Sequence, residues 1–390
     1  MMRQSDYTFG RRKPQNGFVK IVSRIFFSLA LFSYYYFLQA PLLSLAQHQL
    51  SQGQTFYHPL IGAFVLTVVL LFIQKKVQDF LQFDTPLYAL SFVPSVLVAV
   101  LPTAFTPSVN YIVLGGVLII FSLWLLLVIR KDKVSGCFFV VTQNKFVTSL
   151  YSNVLLFFLC LSFLGILSNN SELLTYEVRV SQLLRDGRID ESLSVGERSS
   201  VTSRRLSALR AFAMVNSKTG IGDRLFLYPH TAGGSEDLLL LPEDTLQMLF
   251  PLSSYYDMLG DSLQKQEKSL DYFRRCAERD SADSRAKDYF LCALLLDKDL
   301  ESFVDKLEEY YGISDSLSLP KHYSEALALY NRINPDTSKP YMDNHISEKM
   351  NDFMHAYRLG ADRYNRNMFL TNSFNGTYWL YYYDMCKEGL

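Results

Sequence analysis

Apolar and polar positions divide this chain into two stretches with different periodicity. Up to Ser168 the apolar residues come in five long runs, at 25–46, 56–73, 87–104, 111–129 and 147–168. A helix crosses the hydrocarbon core of a bilayer with ~20 mostly apolar residues, and ~17 is the lower limit. All five runs reach that length, the third only just, and it carries Pro94 and Pro102. None contains Asp, Glu, Lys or Arg, whereas helices of soluble proteins keep a polar face. The pattern predicts a five-span transmembrane region over 25–168, preceded by a basic segment over 1–24.

From Asn169 onward the runs give way to stripes of helical period. Leu300, Phe303, Val304, Leu307 and Tyr311 form one, with Asp297 or Asp299 placed to cap its start and Gly312 to end it. Ala286, Tyr289, Phe290, Ala293 and Leu294 form the stripe before it. Further helices are expected from Leu173 to Arg185, after Ser203, after Pro320, and around Ile346 to Tyr357. The stripes recur at an offset of 34, which carries Tyr255 to Tyr289, Leu259 to Ala293, Phe273 to Leu307 and, less completely, Tyr289 to Tyr323. That period belongs to helix–turn–helix arrays of the tetratricopeptide kind, in which neighbouring hairpins bury one another's stripes and curve around a concave face. The fold class expected is therefore all-α: five spans, then an extracytoplasmic, tetratricopeptide-like domain over 169–390.

Charge supplies the orientation. The formal net charge is zero, with 38 basic and 38 acidic side chains, but only four of the acids (Asp6, Asp79, Asp84, Asp132) precede Asn169, against 12 of the bases. Arg3, Arg11, Arg12, Lys13, Lys20 and Arg24 lie before the first run; Lys75 and Lys76 follow the second; Arg130, Lys131, Lys133 and Lys145 follow the fourth. The intervening loops, 47–55 and 106–110, have neither Lys nor Arg. Basic loops on alternate sides place the N-terminus in the cytoplasm, and an odd number of spans places the C-terminal domain outside. The first run exceeds the ~7–15 apolar residues of a secretory signal, so it reads as an uncleaved anchor although Ser44-Leu45-Ala46 resembles a cleavage site. The acidic soluble part argues against a nucleic-acid partner.

Candidate chemistry is sparse. There is no His-Glu-x-x-His, Cys-x-x-Cys, Gly-x-Ser-x-Gly or phosphate loop, and no cofactor or metal is expected. Of the five cysteines, Cys137 falls on the inner side, Cys160 in a span, and Cys276, Cys292 and Cys386 outside. The richest polar segment is 217–230, where Gly220 and Gly222 permit unusual backbone beside Lys218, Asp223, Arg224, Tyr228 and His230. A second cluster is Lys321-His322-Tyr323-Ser324-Glu325, and the aromatic end begins at Tyr378-Trp379. These ten residues, Lys218, Asp223, Arg224, Tyr228, His230, Lys321, His322, Tyr323, Tyr378 and Trp379, are the candidate ligand or partner contacts. No residue is assigned a catalytic role.

The blocks 217–230, 319–327 and Asn375-Gly376-Thr377-Tyr378-Trp379 resemble an uncharacterised family of multi-pass inner-membrane proteins of Bacteroidales with a tetratricopeptide-like C-terminal region. The resemblance implies a Gram-negative inner membrane and a periplasmic domain, and it transfers no activity. The function expected is a non-enzymatic membrane protein whose periplasmic repeat domain recruits a protein or peptide, in envelope biogenesis. The alternatives are a glycan- or lipid-processing enzyme built on Asp223, Arg224, His230 and His322, and a transporter subunit, which the uncharged spans disfavour.

Overall fold

The computed structural model describes residues 14–105, 111–130, 145–168, 171–231, 233–247, 249–313, 318–335, 343–358 and 363–383. Cys137, Cys386, the loop 106–110 and the arginines before residue 14 lie outside them. The chain divides into two compact units, Met1–Asn170 and Ser171–Leu390. No β-strand occurs among the described residues.

The first unit contains α1 (Pro14–Ser33), continued by a π-turn over Tyr34–Leu38, then α2 (Ala40–Leu50), α3 (Pro59–Leu81), a 3₁₀ segment Thr85–Phe92 running into α4 (Val93–Phe105), α5 (Tyr111–Ile129) and α6 (Lys145–Leu167). Four helices are long and apolar enough to cross a membrane: Gly17–Leu38, Pro59–Leu81, Tyr111–Ile129 and Ser149–Leu167. Their outer faces expose Phe64, Phe72, Ile112, Ile119, Leu126, Phe158 and Ile166, an apolar surface that lipid covers and water would not tolerate. This is a multi-pass helical membrane protein.

Two expectations need correction. Membrane-length helices number four, not five, because the third apolar run winds as 3₁₀ from Thr85 to Phe92 and becomes α-helical only at Val93. It is also the buried centre of the unit: Leu87, Tyr88, Ala89, Phe92, Ala99 and Val100 are sealed by α1, α3, α5 and α6. A long 3₁₀ stretch is unusual and its hydrogen-bond geometry is poor. Here polar side chains of neighbouring helices complete it. The Asn153 amide oxygen accepts from the Ala89 N–H at 2.7 Å, its nitrogen donates to the Thr85 carbonyl at 2.6 Å, and the Trp124 indole donates to the Leu90 carbonyl at 3.0 Å. Gln74 donates to the Ser91 hydroxyl at 2.8 Å and to the Tyr88 hydroxyl at 3.2 Å. Irregular backbone is tolerable at membrane depth only when protein groups satisfy it in this way. The second correction concerns the first span, which starts earlier than its apolar run and so takes in Lys20 and Arg24. Lys20 is accommodated by its long stem, which carries the ammonium over the Tyr88 ring at 5.4 Å.

The second unit begins with α7 (Glu172–Arg185), α8 (Ile189–Ser194), α9 (Arg204–Val215) and the single turn α10 (Ile221–Arg224). Three 3₁₀ turns follow, then α11 (Leu252–Leu259), α12 (Ser269–Ala277), α13 (Ser284–Leu296), α14 (Leu300–Tyr311), α15 (Lys321–Ile333), α16 (Asn344–Arg358), α17 (Arg363–Phe374) and α18 (Tyr378–Tyr382). From α12 to α18 each helix packs on the next, and α18 folds back on α15. The short helices thus resemble a repeat array. Repeat-related positions share one fate: Tyr255, Tyr289 and Tyr323 are all fully buried, as are Phe273 and Leu307. Each such side chain stabilises the stack by about 1.5–3 kcal/mol relative to exposure, which no isolated hairpin could gain.

Local capping follows the sequence closely. Ser203 accepts from the Leu206 N–H and Asp299 from the Ser302 N–H, while Gly312, at φ +69°, ends α14. Asp297 serves a different purpose, accepting from the Ser235 N–H at 2.7 Å. Cys160, Cys276 and Cys292 are free and buried.

Candidate functional site

Helix α15 starts at Lys321 directly after Pro320, which has no side-chain acceptor to cap it. The cap comes from far along the chain: Asp223 Oδ1 accepts from the Lys321 N–H at 2.7 Å. A carboxylate at a helix N-terminus is favoured both by the orphan N–H groups and by the helix dipole. This contact docks α10 on α15, and the backbone of Gly222 approaches closely enough that a Cβ there would lie 2.7 Å from Pro320 Cβ. The clusters 218–230 and 321–325 therefore meet in space.

They meet inside the core. His322 has no exposed side-chain surface; its Nδ1 is 2.9 Å from Glu325 Oε2, and the Phe226 N–H donates to its Nε2 at 3.4 Å. That N–H donation requires an acceptor lone pair on Nε2, so the proton sits on Nδ1 and is donated to the carboxylate. The Glu325 carboxylate also accepts from the Tyr378 N–H at 2.8 Å, and its main-chain carbonyl accepts from the Trp379 indole at 2.8 Å. Lys321 Nζ stands 3.9 Å from Glu325 and donates to the Gly376 carbonyl at 2.6 Å. Glu325 is thus the knot joining α15 to α18.

Phe226 occupies the middle of an aromatic cluster, with ring centroids 5.0 Å from His322, 5.5 Å from His230, 5.2 Å from Tyr378 and 4.9 Å from Tyr381. His230 lies 2.8 Å from the Leu225 carbonyl through Nε2 and 3.9 Å from Asp237 through Nδ1. Burial pushes both imidazoles below their ordinary pKa, since a charged ring would lose its hydration, with the nearby Leu225 carbonyl and Glu325 opposing the shift only in part.

The remaining candidates separate by exposure. Tyr323, Tyr378 and Trp379 are buried, and Trp379 and Tyr378 pack the last helix onto the stack. Tyr228 is buried with its hydroxyl donating to the Leu193 carbonyl at 2.7 Å. Lys218 and Lys321 are exposed, and Arg224 is half-buried.

Two polar features escaped sequence reasoning. Asp288 accepts from the Tyr311 hydroxyl at 2.6 Å and from the Tyr323 hydroxyl at 3.1 Å, and burial raises its pKa. Arg210 is 1% exposed; its Nη2 donates to the Val195 and Gly196 carbonyls, and its guanidinium covers the Tyr228 ring at 4.8 Å. The signal for Arg210 was present, a lone charge inside the otherwise uncharged stretch Leu206 to Val215. Among the described residues no group of three His, Cys, Asp or Glu side chains is placed to hold a metal ion.

Residues 255–385, which run from α11 past the terminal aromatic helix, match the profile of a family described as a family of unknown function (DUF6057). That stretch takes in the second cluster and the aromatic end but not 217–230, and no curated protein and no solved structure matches the chain.

Proposed function

We propose that this protein is a membrane-anchored scaffold whose tetratricopeptide-like outer unit docks a protein or peptide segment in the periplasm of a Gram-negative bacterium, in envelope biogenesis. The observation carrying this reading is the contrast between Asp223, His322 and Glu325, which hold α10, α15 and α18 together, and α17. That helix leaves Tyr364 73%, Met368 51% and Phe369 55% exposed. Aromatic and Met side chains on a surface helix are the usual anchors of a docked segment. The enzymatic alternative on Asp223, Arg224, His230 and His322 has less support. Asp223 caps a helix, and both His322 nitrogens are engaged out of reach of solvent. A transporter role also has less support, because Asn153 and Trp124 bond to the protein's own backbone.

The outer placement rests on the alternation of basic loops, which requires Thr85–Phe105 to cross. Eight 3₁₀ and 13 α-helical residues rise roughly 35 Å together, enough for a ~30 Å hydrocarbon core. Labelling exposed Lys265→Cys with an impermeant maleimide in spheroplasts tests the side, and protection until lysis would overturn it. Photocrosslinking in cells from a benzoylphenylalanine at Phe369 tests the docking: one discrete adduct is expected there and none from position 265. Equal labelling at both positions, or none at either, would count against a docking face on α17.

A further inference from the structure

At the far end of the array, α15 and α16 enclose an open cavity of about 300 Å³ lined by Arg332, Asn351, Met354, His355 and Arg358. Four of the five share one stripe of α16, at successive helical spacings of three, one and three residues, and Arg332 reaches in from α15. Among the described residues no carboxylate lines the cavity, and none of the three basic side chains forms an ion pair. Asn351 Oδ1 accepts from Arg332 Nη1 at 2.7 Å and so fixes that guanidinium at the rim. Arg332 and Arg358, from different helices, both line this one cavity.

Basic residues in a last helical turn have an ordinary explanation, the negative end of the helix dipole. That accounts for each residue singly. It does not account for two helices delivering theirs to one cavity. The two C-termini contribute about half a negative charge each, against two guanidinium charges, so the described lining carries about one net positive charge before His355 is counted. A volume of this size lies at the small end of ligand sites. The donor count selects among anions: a carboxylate offers two oxygens, which one guanidinium fork satisfies, whereas two forks from different helices suit the three or four oxygens of a phosphate.

We propose that the cavity between α15 and α16 is a binding site for a phosphate group, held by Arg332 and Arg358 with His355 beside them and Met354 as its apolar floor. The group would come from a soluble phosphate monoester or from a lipid bearing a terminal phosphate, since a phosphodiester headgroup offers only two free oxygens. The test uses the full chain in maltoside micelles, which carry no phosphate, at low salt, with amide hydrogen exchange of residues 344–358 as the readout. Inorganic phosphate is titrated into these micelles, and micelles doped with phosphatidic acid are compared with undoped ones. Saturable protection by inorganic phosphate points to a soluble source, and protection by phosphatidic acid alone points to a lipid source. Either supports the site if R332Q and R358Q each weaken it about tenfold or more, as expected for a lost charge-assisted contact. Both arginines are exposed, so the variants should fold. No protection in either arm, equal protection by chloride, or protection unchanged in both variants would overturn the proposal. A failed crosslink at Phe369 would leave it standing.

Discussion

Removing the Glu325 carboxylate should loosen the end of the array without touching its surface. Glu325→Ala takes the acceptor from two groups at once, His322 Nδ1–H at 2.9 Å and the Tyr378 N–H at 2.8 Å. Water cannot replace it, because Glu325 is 4% exposed and His322 and Tyr378 are fully buried. Each orphaned group costs about 1–3 kcal/mol, and together they should cost about 2–5 kcal/mol once the smaller side chain lets the site relax. In a unit of roughly 220 residues, one kcal/mol moves the thermal midpoint by about 2–4 °C, so the expected fall is about 4–20 °C. Glu325→Gln retains the shape and one acceptor oxygen and should lose about 1–2 kcal/mol. The assay is fluorescence-detected melting of the full chain in detergent on a Trp124→Phe background. There the remaining tryptophan, Trp379, reports from the Glu325 carbonyl itself. The reasoning is refuted if Glu325→Ala melts within about a degree of the parent, or if Gln is as damaging as Ala.

Three further outcomes are expected. His230 and His322 are held neutral by burial, so the unfolded chain takes up protons near pH ~6.5 that the folded chain refuses. Their contribution is complete above that pH and drains away as pH falls toward the lower folded values, by up to about 1.4 kcal/mol per pH unit for each ring. The melting midpoint should therefore be lower at pH 5.5 than at 7.5, with a flatter profile in His230→Asn/His322→Gln; a midpoint that climbs on acidification contradicts this. Gly222→Ala should cost about 1–3 kcal/mol, because its methyl would lie 2.7 Å from Pro320 Cβ and 3.0 Å from Tyr323 Cζ. Urea unfolding of the full chain measures it, and an unchanged midpoint would mean that α10 and α15 are not in contact as described. Asn153→Ala strips the Ala89 N–H and the Thr85 carbonyl of their partner and should cost about 1–2 kcal/mol within the membrane unit. Heat-induced aggregation of that variant in nanodiscs, at the parent's temperature, would show that the 3₁₀ segment does not depend on it.

Much of the architecture was legible because it is written in local periodicity. Uninterrupted apolar runs and 3.6-residue stripes announce which faces avoid water, and Ser203, Asp299 and Gly312 mark helix ends through contacts with near neighbours. The winding of the third run was not legible, for the same reason. Its composition matches a span, but its 3₁₀ winding depends on Asn153 and Trp124, dozens of residues away. The candidate clusters show a similar limit. Lys218, Asp223 and His230, beside two glycines, and His322, in a run of polar residues, looked like chemistry from the sequence. Asp223 instead caps α15, 98 residues further along the chain.

From its sequence alone this protein is a multi-pass, all-helical membrane protein with an acidic unit of stacked, repeat-related helices, because hydrophobic period and charge segregation act on scales of a few residues. Tertiary structure decided which polar groups remained available to a partner. Burial is a property of what packs on a side chain from elsewhere, so His322 and Glu325 became a structural knot when α10 and α18 closed over them. The guanidinium groups of Arg332 and Arg358 became a site only when two helix ends brought them to one cavity.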